Sequence, residues 1–344
     1  MGTLGVLLTP ILKREQTSLK ALKTRSFAVD ASIELHRFLA LVRRPDGTLF
    51  TDNSGRVTSH LMGLLSWTSR LITEYAMSPV FVFDGPANPM KRRTLEARRM
   101  ARRKAEAEYA EARATGDYSR AWSKAVMTGR VTGEVLEDAK WMLKLMGVPW
   151  LDAPEDAEAQ ASYMAAKGDV WAVGSKDYDS LLYGAPILAR YLSISGQEFL
   201  PTQHRMRRLI PELVKLPENL AILGITREQL VDLAILVGTD FNEGIRGIGP
   251  KKALSLIRKY GSLEHLPDQI RKQGPPGFDD VRQVFLHPKI REFYELNASQ
   301  PDAEGLVGFL VTDRGFSEDR VSRVAERLVC SYKHRESGLA KWLN

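Results

Sequence analysis

Three short apolar segments of the chain each end close to an aspartate. They are residues 26–31 (SFAVDA), 79–85 (PVFVFDG) and 169–177 (DVWAVGSKD), and they are rich in β-branched and aromatic residues. Apolar runs of this length predict strands that are buried on both faces of a parallel sheet. The aspartates in question are Asp30, Asp84 and Asp177.

Segments with helical periodicity lie between these strands. Residues 59–75 and 155–168 have this period, and the second helix is predicted to begin just after Pro154. The alternation predicts an α/β fold with a doubly wound, mainly parallel central sheet flanked by helices. Ligands of such sheets bind at the carboxyl ends of the strands, so we expect the three aspartates to gather there. The alternative is that each aspartate merely caps the following helix.

Residues 90–104 (MKRRTLEARRMARRK) carry eight basic residues and one acidic residue. Helical character is predicted to continue to about Ala114, and residues 115–147 resume as a second helical stretch. A solvated charged face is one interpretation of such a segment. Charge of a single sign repels itself unless an anion is nearby, however, and this favours contact with nucleic acid.

Residues 227–261 predict two helices joined by a glycine-rich hairpin. The first helix ends near Gly238, a loop carries Asp240, and GIRGIGPKKAL opens the second helix. Free N–H groups, the helix dipole and two lysines make this helix start suitable for a DNA phosphate, although an ordinary tight turn is the alternative. The hairpin residues concerned are Gly247, Gly249, Lys251 and Lys252.

The composition narrows the class of protein and of metal. Of 344 residues, 44% are hydrophobic, which is enough for a sizeable core, and no apolar run reaches the ~20 residues that span a bilayer. The net charge of +7 favours a polyanionic partner. The single cysteine, Cys330, excludes a disulfide framework and a site built on several thiolates. We therefore expect a cytoplasmic protein whose metal, if any, is held by oxygen.

The order and spacing of the motifs are similar to those of a known nuclease family. VDAS (29–32), VFDG (82–85), APEDAEAQAS (153–162), SKDYDSLLYG (175–184) and LVGTDFNEGIRGIGPKKAL (236–254) resemble the structure-specific 5′-nucleases of the XPG/Rad2-like family, most closely archaeal flap endonucleases. The resemblance covers essentially the whole chain. It implies a PIN-like nuclease core, a helical arch and a helix-hairpin-helix element that binds DNA.

The resemblance also implies roles for particular residues. The metal ligands are Asp30, Asp84, Asp156, Glu158, Asp177, Asp179 and Asp240. The catalytic cations are Lys91 and Arg98. The DNA contacts are His36, Arg43, Gly238, Gly247, Gly249, Lys251 and Lys252. Asp156 stands where relatives have the longer Glu, with Glu155 at the usual serine position, and His36 stands where relatives often have a stacking tyrosine.

The tail, residues 334–344, has Leu339, Trp342 and Leu343 on one face of a single predicted helical turn. This face could dock on the chain's own core or serve as an anchor for a partner. By resemblance the partner is the sliding clamp (PCNA), although Glu336 and Leu343 depart from the usual clamp motif.

The implied domains are a nuclease region (1–104), part of the arch (105–119), an internal nuclease region with the hairpin element (120–262), a C-terminal helical region (263–333) and the clamp tail (334–344). The implied cofactors are two Mg²⁺ ions, for which Mn²⁺ can substitute, with K⁺ in the hairpin loop. The product would carry a 5′-phosphate.

The implied substrate is DNA with a 5′ flap or a nicked or gapped junction, cut by a monomeric flap endonuclease with 5′-3′ exonuclease activity in Okazaki fragment maturation and base-excision repair. Two alternatives stay open: a PIN-like RNA- or single-strand-directed endonuclease, and a non-catalytic DNA-junction or clamp adaptor. The adaptor is disfavoured because it has no need for so many acids.

Overall fold

The computed structural model describes residues 5–192, 196–200, 205–274 and 277–340. The strands are β1 (Glu15–Gln16), β2 (Ser26–Asp30), β3 (Ser78–Phe83), β4 (Trp150–Asp152), β5 (Ala172–Gly174), β6 (Ile187–Arg190), β7 (Gln197–Leu200), β8 (Arg205–Arg208), β9 (Glu212–Lys215), β10 (Gly238–Thr239) and β11 (Asn242–Glu243). The α-helices are α1 (Ala31–Leu41), α2 (Ser59–Tyr75), α3 (Arg92–Ala114), α4 (Tyr118–Ala125), α5 (Gly133–Leu145), α6 (Ala157–Lys167), α7 (Asp179–Leu182), α8 (Leu216–Leu223), α9 (Arg227–Val237), α10 (Pro250–Tyr260), α11 (Asp268–Arg271), α12 (Phe278–Leu286), α13 (Ala303–Val307) and α14 (Glu318–Ala340).

Seven strands form the central sheet in the order β1-β9-β6-β5-β2-β3-β4. The five strands from β6 to β4 are parallel to their neighbours, and β9 pairs antiparallel with β6 and β1. From β2 the chain proceeds outward to β3 and β4, and it then returns to build β5 and β6 on the other side. This reversal confirms the predicted doubly wound, mainly parallel sheet, and it places the switch point between β2 and β5.

Each face of the sheet is covered by its own apolar core. Along β2 and β3, Phe27, Val29, Phe81 and Phe83 belong to one core, with α1, α2, α5 and α14. Ala28, Val80 and Val82 alternate with them and belong to the other, with α6, α9, α10 and α12. Strands that are buried on both faces must be apolar at every position, which explains the continuous apolar runs in the sequence.

The predicted helices differ from the structure at two places. Residues 59–75 form α2 as predicted, but the helix predicted from 155 begins at Ala157. The reason is that the preceding residues continue pairing beside β3, through the N–H of Ala153 to the carbonyl of Phe83 and the N–H of Gly85 to that of Glu155.

The second helical stretch, residues 115–147, is two helices, α4 and α5, instead of one. The side chain of Thr132 accepts a hydrogen bond from the N–H of Val135 and so begins α5 as a separate helix. The predicted domain boundaries at 104/105 and 333/334 lie inside α3 and α14, and the domain division stays a prediction. Among the described residues, no helix combines the length and apolar character that crossing a membrane requires.

Replacing Gly63 with Ala should destabilise the fold, because α1 and α2 touch at this position. A β-carbon on Gly63 would lie 2.4 Å from Cγ of Phe38, whose side chain is buried. We expect the free energy of unfolding to fall by about 1–3 kcal/mol, measured by urea denaturation. Gly133→Ala is the matched control, since nothing lies within 4 Å of its added β-carbon. Equal effects of the two substitutions would contradict this account of the helix contact.

Candidate active site

A cleft of about 870 Å³ opens at the carboxyl edge of the parallel strands, beside the reversal between β2 and β5. All the acidic residues selected from the sequence line it, together with two basic residues: Asp30, Asp84, Asp156, Glu158, Asp177, Asp179, Asp240, Lys91 and Arg98. Acids that are far apart in the sequence therefore share one cleft, at the place where doubly wound sheets bind ligands.

Asp30 is the last residue of β2, and Asp84 comes directly after the neighbouring strand β3. Oδ1 of Asp30 accepts a hydrogen bond from the N–H of Ile33 (2.8 Å), which caps α1. Oδ1 of Asp84 accepts one from the N–H of Ala157 (2.9 Å) at the start of α6. Neither bond uses the second carboxylate oxygen. Helix capping and a place in the cleft are thus combined in the same side chains.

Asp156, and not its neighbour Glu155, faces the cleft. Its Oδ1 accepts a hydrogen bond from Nζ of Lys91, and its Oδ2 accepts one from the hydroxyl of Tyr183 (2.7 Å). Glu155 instead pairs with Lys289 (2.5 Å), away from the cleft. The carboxylate that this segment presents to the cleft is therefore that of Asp156, fixed on both oxygens.

Two serine hydroxyls hold Glu158 beside the turn that joins β5 to α7. Oε1 of Glu158 accepts hydrogen bonds from Ser175 (2.9 Å) and Ser180 (3.3 Å). The same Ser175 hydroxyl accepts one from the N–H of Asp177 (3.1 Å). The carboxylates of α6 and of this turn are therefore held together by neutral donors.

Asp179 and Asp240 are fixed by different partners. Oδ1 of Asp179 accepts a hydrogen bond from the N–H of Val6 (2.8 Å). Both oxygens of Asp240 accept from Nη2 of Arg98 (2.8 and 2.6 Å), and the hydroxyl of Thr94 donates to the Asp240 carbonyl (2.8 Å). The basic helix α3 is thereby tied across the cleft mouth.

Burial and mutual repulsion disfavour the charged forms of four of these acids. Burial is the largest cause in each case and neighbouring carboxylates add to it. Together they raise the pKa values of Asp30 and Glu158 well above their usual range. They raise the pKa of Asp177 to about 6 and that of Asp179 to about 7. The cleft therefore favours a bound proton or a cation.

Lys91 supplies part of the positive charge that the acids require. Burial opposes its charge, but the carboxylates of Asp156, Asp84 and Asp240 outweigh that effect and raise the pKa of Lys91. Its Nζ lies 4.9 Å from the centroid of the Phe241 ring. The ammonium group is thus held inside the cleft by three carboxylates and one aromatic face.

The donor set of the cleft fits a hard divalent cation. Among the described residues, no three His, Cys, Asp or Glu side chains are already arranged to hold a metal ion, and Lys91 and Arg98 are bonded to Asp156 and Asp240. The cleft nevertheless concentrates carboxylate oxygens, which are the ligands of Mg²⁺ and Mn²⁺, at a place that favours positive charge.

Five of the predicted metal ligands would hold such an ion without displacing Lys91 or Arg98. They are Asp30, Asp84, Glu158, Asp177 and Asp179.

Of the predicted DNA contacts, His36 lines the cleft and Arg43 does not. Desolvation by the surrounding protein, followed by nearby cations, lowers the pKa of His36 to about 4, and stacking of its neutral ring on a DNA base stays a prediction. Arg43 is buried and donates to the carbonyls of Leu39 and Gly47 (both 2.8 Å). In this conformation Arg43 stabilises a loop, and a direct contact with DNA stays a prediction.

The predicted hairpin is present between α9 and α10. Gly238 has φ +107°, and a β-carbon there would lie 2.7 Å from the N of Gly244, so the turn itself requires glycine. Gly247 has φ +81° and Gly249 precedes α10 as its N-cap, while Lys251 and Lys252 are exposed in its first turn. The free N–H groups and lysines therefore face solvent together, as an anion site requires.

Residues 341–344 of the predicted clamp tail, among them Trp342 and Leu343, lie outside the described residues, and so does the side chain of Leu339. Residues 334–340 continue α14 instead of forming a separate turn.

Sequence reasoning missed the second layer of the site. Tyr183, Ser175 and Ser180 bind the acids directly, and all three lie within the SKDYDSLLYG motif. Their proximity to Asp177 and Asp179 was the only local signal. The N–H of Val6 gave none, because a backbone donor carries no sequence signature.

Two regions of the chain match known families: residues 1–105 the XPG N-terminal domain and residues 147–240 the XPG I-region. The chain is 45% identical to flap endonuclease 1 of Methanothrix thermoacetophila, covering 99% of this chain and 100% of that protein. It superposes on flap endonuclease-1 of Methanococcus jannaschii with TM-score 0.75 and 36% identity, covering 96% and 100% of the two chains. The catalytic core of Rad2 in complex with DNA substrate shares the fold at 20% identity, with TM-score 0.67 and coverage of 93% and 97%.

Replacing Asp179 with Asn should stabilise the metal-free protein at alkaline pH. The folded state raises the pKa of Asp179 from 3.8 to about 7, so between these values it binds more protons than the unfolded chain, and stability falls as the pH rises. In calorimetry the variant should unfold at a higher temperature than the parent at about pH 8, and this difference should vanish near pH 4. Mg²⁺ should raise the unfolding temperature of the parent more than that of the variant.

Asp169→Asn is the control of opposite sign. A hydrogen bond from Tyr294 (2.5 Å) lowers the pKa of Asp169, so its carboxylate stabilises the fold above its unfolded pKa. This variant should lose stability at alkaline pH. An Asp179→Asn difference that is the same at both pH values would show that repulsion in the cleft is not its cause.

Proposed function

The chain belongs to the XPG nuclease family, with the archaeal flap endonucleases, and from this membership we propose that the acidic cleft is the site where it cuts DNA. It is a structure-specific flap endonuclease, and so a metal-dependent enzyme that hydrolyses phosphodiester bonds. The observation that carries the assignment of the site is the gathering of the seven acids, Lys91 and Arg98 in one cleft. The proposed substrates are 5′ flaps and nicked or gapped junctions, with 5′-3′ exonuclease activity and 5′-phosphate products.

The acids are proposed to hold two Mg²⁺ ions, or Mn²⁺ in their place. These ions would supply a water nucleophile of lowered pKa and stabilise the leaving oxygen. The residues that would hold them are Asp30, Asp84, Asp156, Glu158, Asp177, Asp179 and Asp240. The pKa values raised by burial and mutual repulsion support this role, because a bound cation removes the repulsion.

Lys91 and Arg98 are proposed to stabilise the charge that develops on the phosphoryl oxygens. Such a donor is typically worth about 3 kcal/mol of transition-state stabilisation. Both side chains already reach the cleft, where they bind Asp156 and Asp240. In the reaction they would exchange these carboxylates for phosphate oxygens, while the carboxylates become available to the metal ions.

Helices α3 and α4 are proposed to form the arch through which the single-stranded 5′ end passes. The hairpin between α9 and α10 would grip the duplex, with K⁺ in its loop. The exposed lysines of the hairpin and the free N-terminus of α10 support the proposed grip on the duplex.

The remaining proposals concern the oligomeric state of the protein and its location and role in the cell. The protein would act as a cytoplasmic monomer in Okazaki fragment maturation and base-excision repair, recruited by the sliding clamp through Leu339, Trp342 and Leu343. The sequence motif of the tail supports the clamp contact.

An Asp179→Ala variant should lose Mg²⁺-dependent cleavage of an end-labelled flap substrate and keep its affinity for that DNA. The reason is that Asp179 is buried in the cleft and the DNA grip lies elsewhere. Asp169→Ala, at the opposite edge of the sheet, is the matched control and should cleave normally. Retained cleavage by the Asp179 variant would remove the cleft from the mechanism, and faster cleavage of plain RNA than of flap DNA by the parent would favour the RNA-directed alternative.

Replacing both Lys251 and Lys252 with Ala should weaken binding to flap DNA and flatten its salt dependence. The slope of log K against log [salt] is negative. For each phosphate that the variant no longer neutralises, the magnitude of this slope should decrease by about 1. The control replaces Lys20 and Lys23, which are exposed near the amino end of β2, and so changes the net charge equally. If both pairs of substitutions change the slope alike, the hairpin has no special role in gripping DNA.

A further inference from the structure

Arg190 is buried directly behind the acidic cleft, at the end of β6, with 6% of its surface exposed. Its guanidinium lies between two aromatic rings, 4.1 Å from the centroid of Tyr178 and 4.6 Å from that of Tyr191. A buried cation is costly unless its donors are bonded. The partners of these donors therefore indicate what the residue is for.

Two of the donors hold the turn that carries Asp177. Nε donates to the carbonyl of Lys176 (2.9 Å), and Nη1 donates to the hydroxyl of Tyr178 (2.6 Å). These are the residues immediately before and after Asp177. One rigid, planar fork thus binds the backbone of Lys176 and the side chain of Tyr178, and so restricts the turn that directs the Asp177 carboxylate.

The same contacts extend to Asp179 through the N-terminal segment. The hydroxyl of Tyr178 also hydrogen-bonds the hydroxyl of Thr9 (3.1 Å), and the N–H of Val6 in that segment donates to Asp179 (2.8 Å). Arg190 therefore supports, through Tyr178, the segment that orients a second acid.

The guanidinium is itself held from behind by the sheet. Nη1 pairs with Glu212 (3.0 Å), the residue opposite Arg190 in the β6–β9 register, and Glu212 also pairs with Arg14 (3.1 Å). Nη2 donates to the hydroxyl of Tyr191 (2.9 Å), a residue with φ +59°. A tyrosine in the left-handed region is strained, and this hydrogen bond helps to offset that strain.

We propose that Arg190 is a positioning residue for the nuclease reaction, which holds Asp177 and Asp179 in the orientation that binds the metal ions. This inference rests on the proposed function of the cleft. Arg190 is not among the residues that line the cleft, so it acts through the turn and not on the substrate.

The test compares Arg190→Met with the parent over a Mg²⁺ titration. Loss of an outer residue that orients metal ligands typically costs 10–100-fold in metal affinity or activity. We expect the Mg²⁺ concentration for half-maximal flap cleavage to rise by about 10-fold or more, with DNA affinity unchanged in Ca²⁺. The increase in unfolding temperature on adding Mg²⁺ without DNA should move to higher Mg²⁺ by the same factor.

Arg335→Met is the matched control, because Arg335 is partly buried at the opposite edge of the sheet, where it donates to the carbonyl of Met77 (2.6 Å). This variant should keep the parent's Mg²⁺ midpoints even if it is less stable. Arg190→Lys keeps the charge without the fork and should remain shifted, whereas full recovery by Lys would overturn the proposed directional grip.

Tyr178→Phe provides a second measurement if Arg190→Met does not fold. It removes one hydroxyl of the same contact and should shift both midpoints in the same direction by a smaller factor. Unchanged midpoints in the folded variants, with an active parent, would overturn the role of Arg190 alone. A parent that does not cleave flap DNA in Mg²⁺ would instead overturn the proposed function.

Discussion

The mutual repulsion of carboxylates at one edge of a parallel sheet is the constraint on which the rest of the structure depends. The cleft gathers the seven predicted metal ligands, and four of them have pKa values raised by burial and by each other. Their separation is restricted, because backbone N–H groups hold Asp30, Asp84 and Asp179, and two serine hydroxyls hold Glu158. A site of this kind is stable only with positive charge inside it, and the fold must provide that charge or admit it.

Arg98 of the basic helix α3 and Lys91, the residue just before that helix, provide part of that charge. This explains how a strongly cationic helix can lie beside a nuclease core. Lys91 and Arg98 pair with Asp156 and Asp240 instead of facing solvent. The same two cations are proposed to bind the scissile phosphate. Acids and phosphate therefore compete for them, so that arrival of DNA would free Asp156 and Asp240 for metal ions at the moment when the ions are needed.

The sequence allowed the acids and the two cations of the cleft to be predicted. It indicated little of the residues that hold the acids in place. Asp30, Asp84 and Asp177 follow apolar strands, so the rule for parallel sheets is enough to place them at one edge. The choice between Glu155 and Asp156 needed the structure, since it depends on pairing beside β3. Arg43 is buried by hydrogen bonds to backbone carbonyls, which the sequence pattern does not predict. The roles of Arg190 and Tyr183 could not be predicted from the sequence, because their contacts are set by tertiary packing.

The charged side chains of the site differ in how freely they can move, and this difference follows from the role of each. Asp30, Asp84 and Asp179 have short side chains that accept hydrogen bonds from backbone N–H groups, so one oxygen of each is fixed before a ligand arrives. Lys91, just before α3, and Arg98, within it, have long side chains that can exchange one anion for another. Arg190 combines a cation with complete burial, so it cannot exchange partners. Its fixed charge is therefore suited to orienting ligands, while the less buried Lys91 and Arg98 are suited to following the substrate.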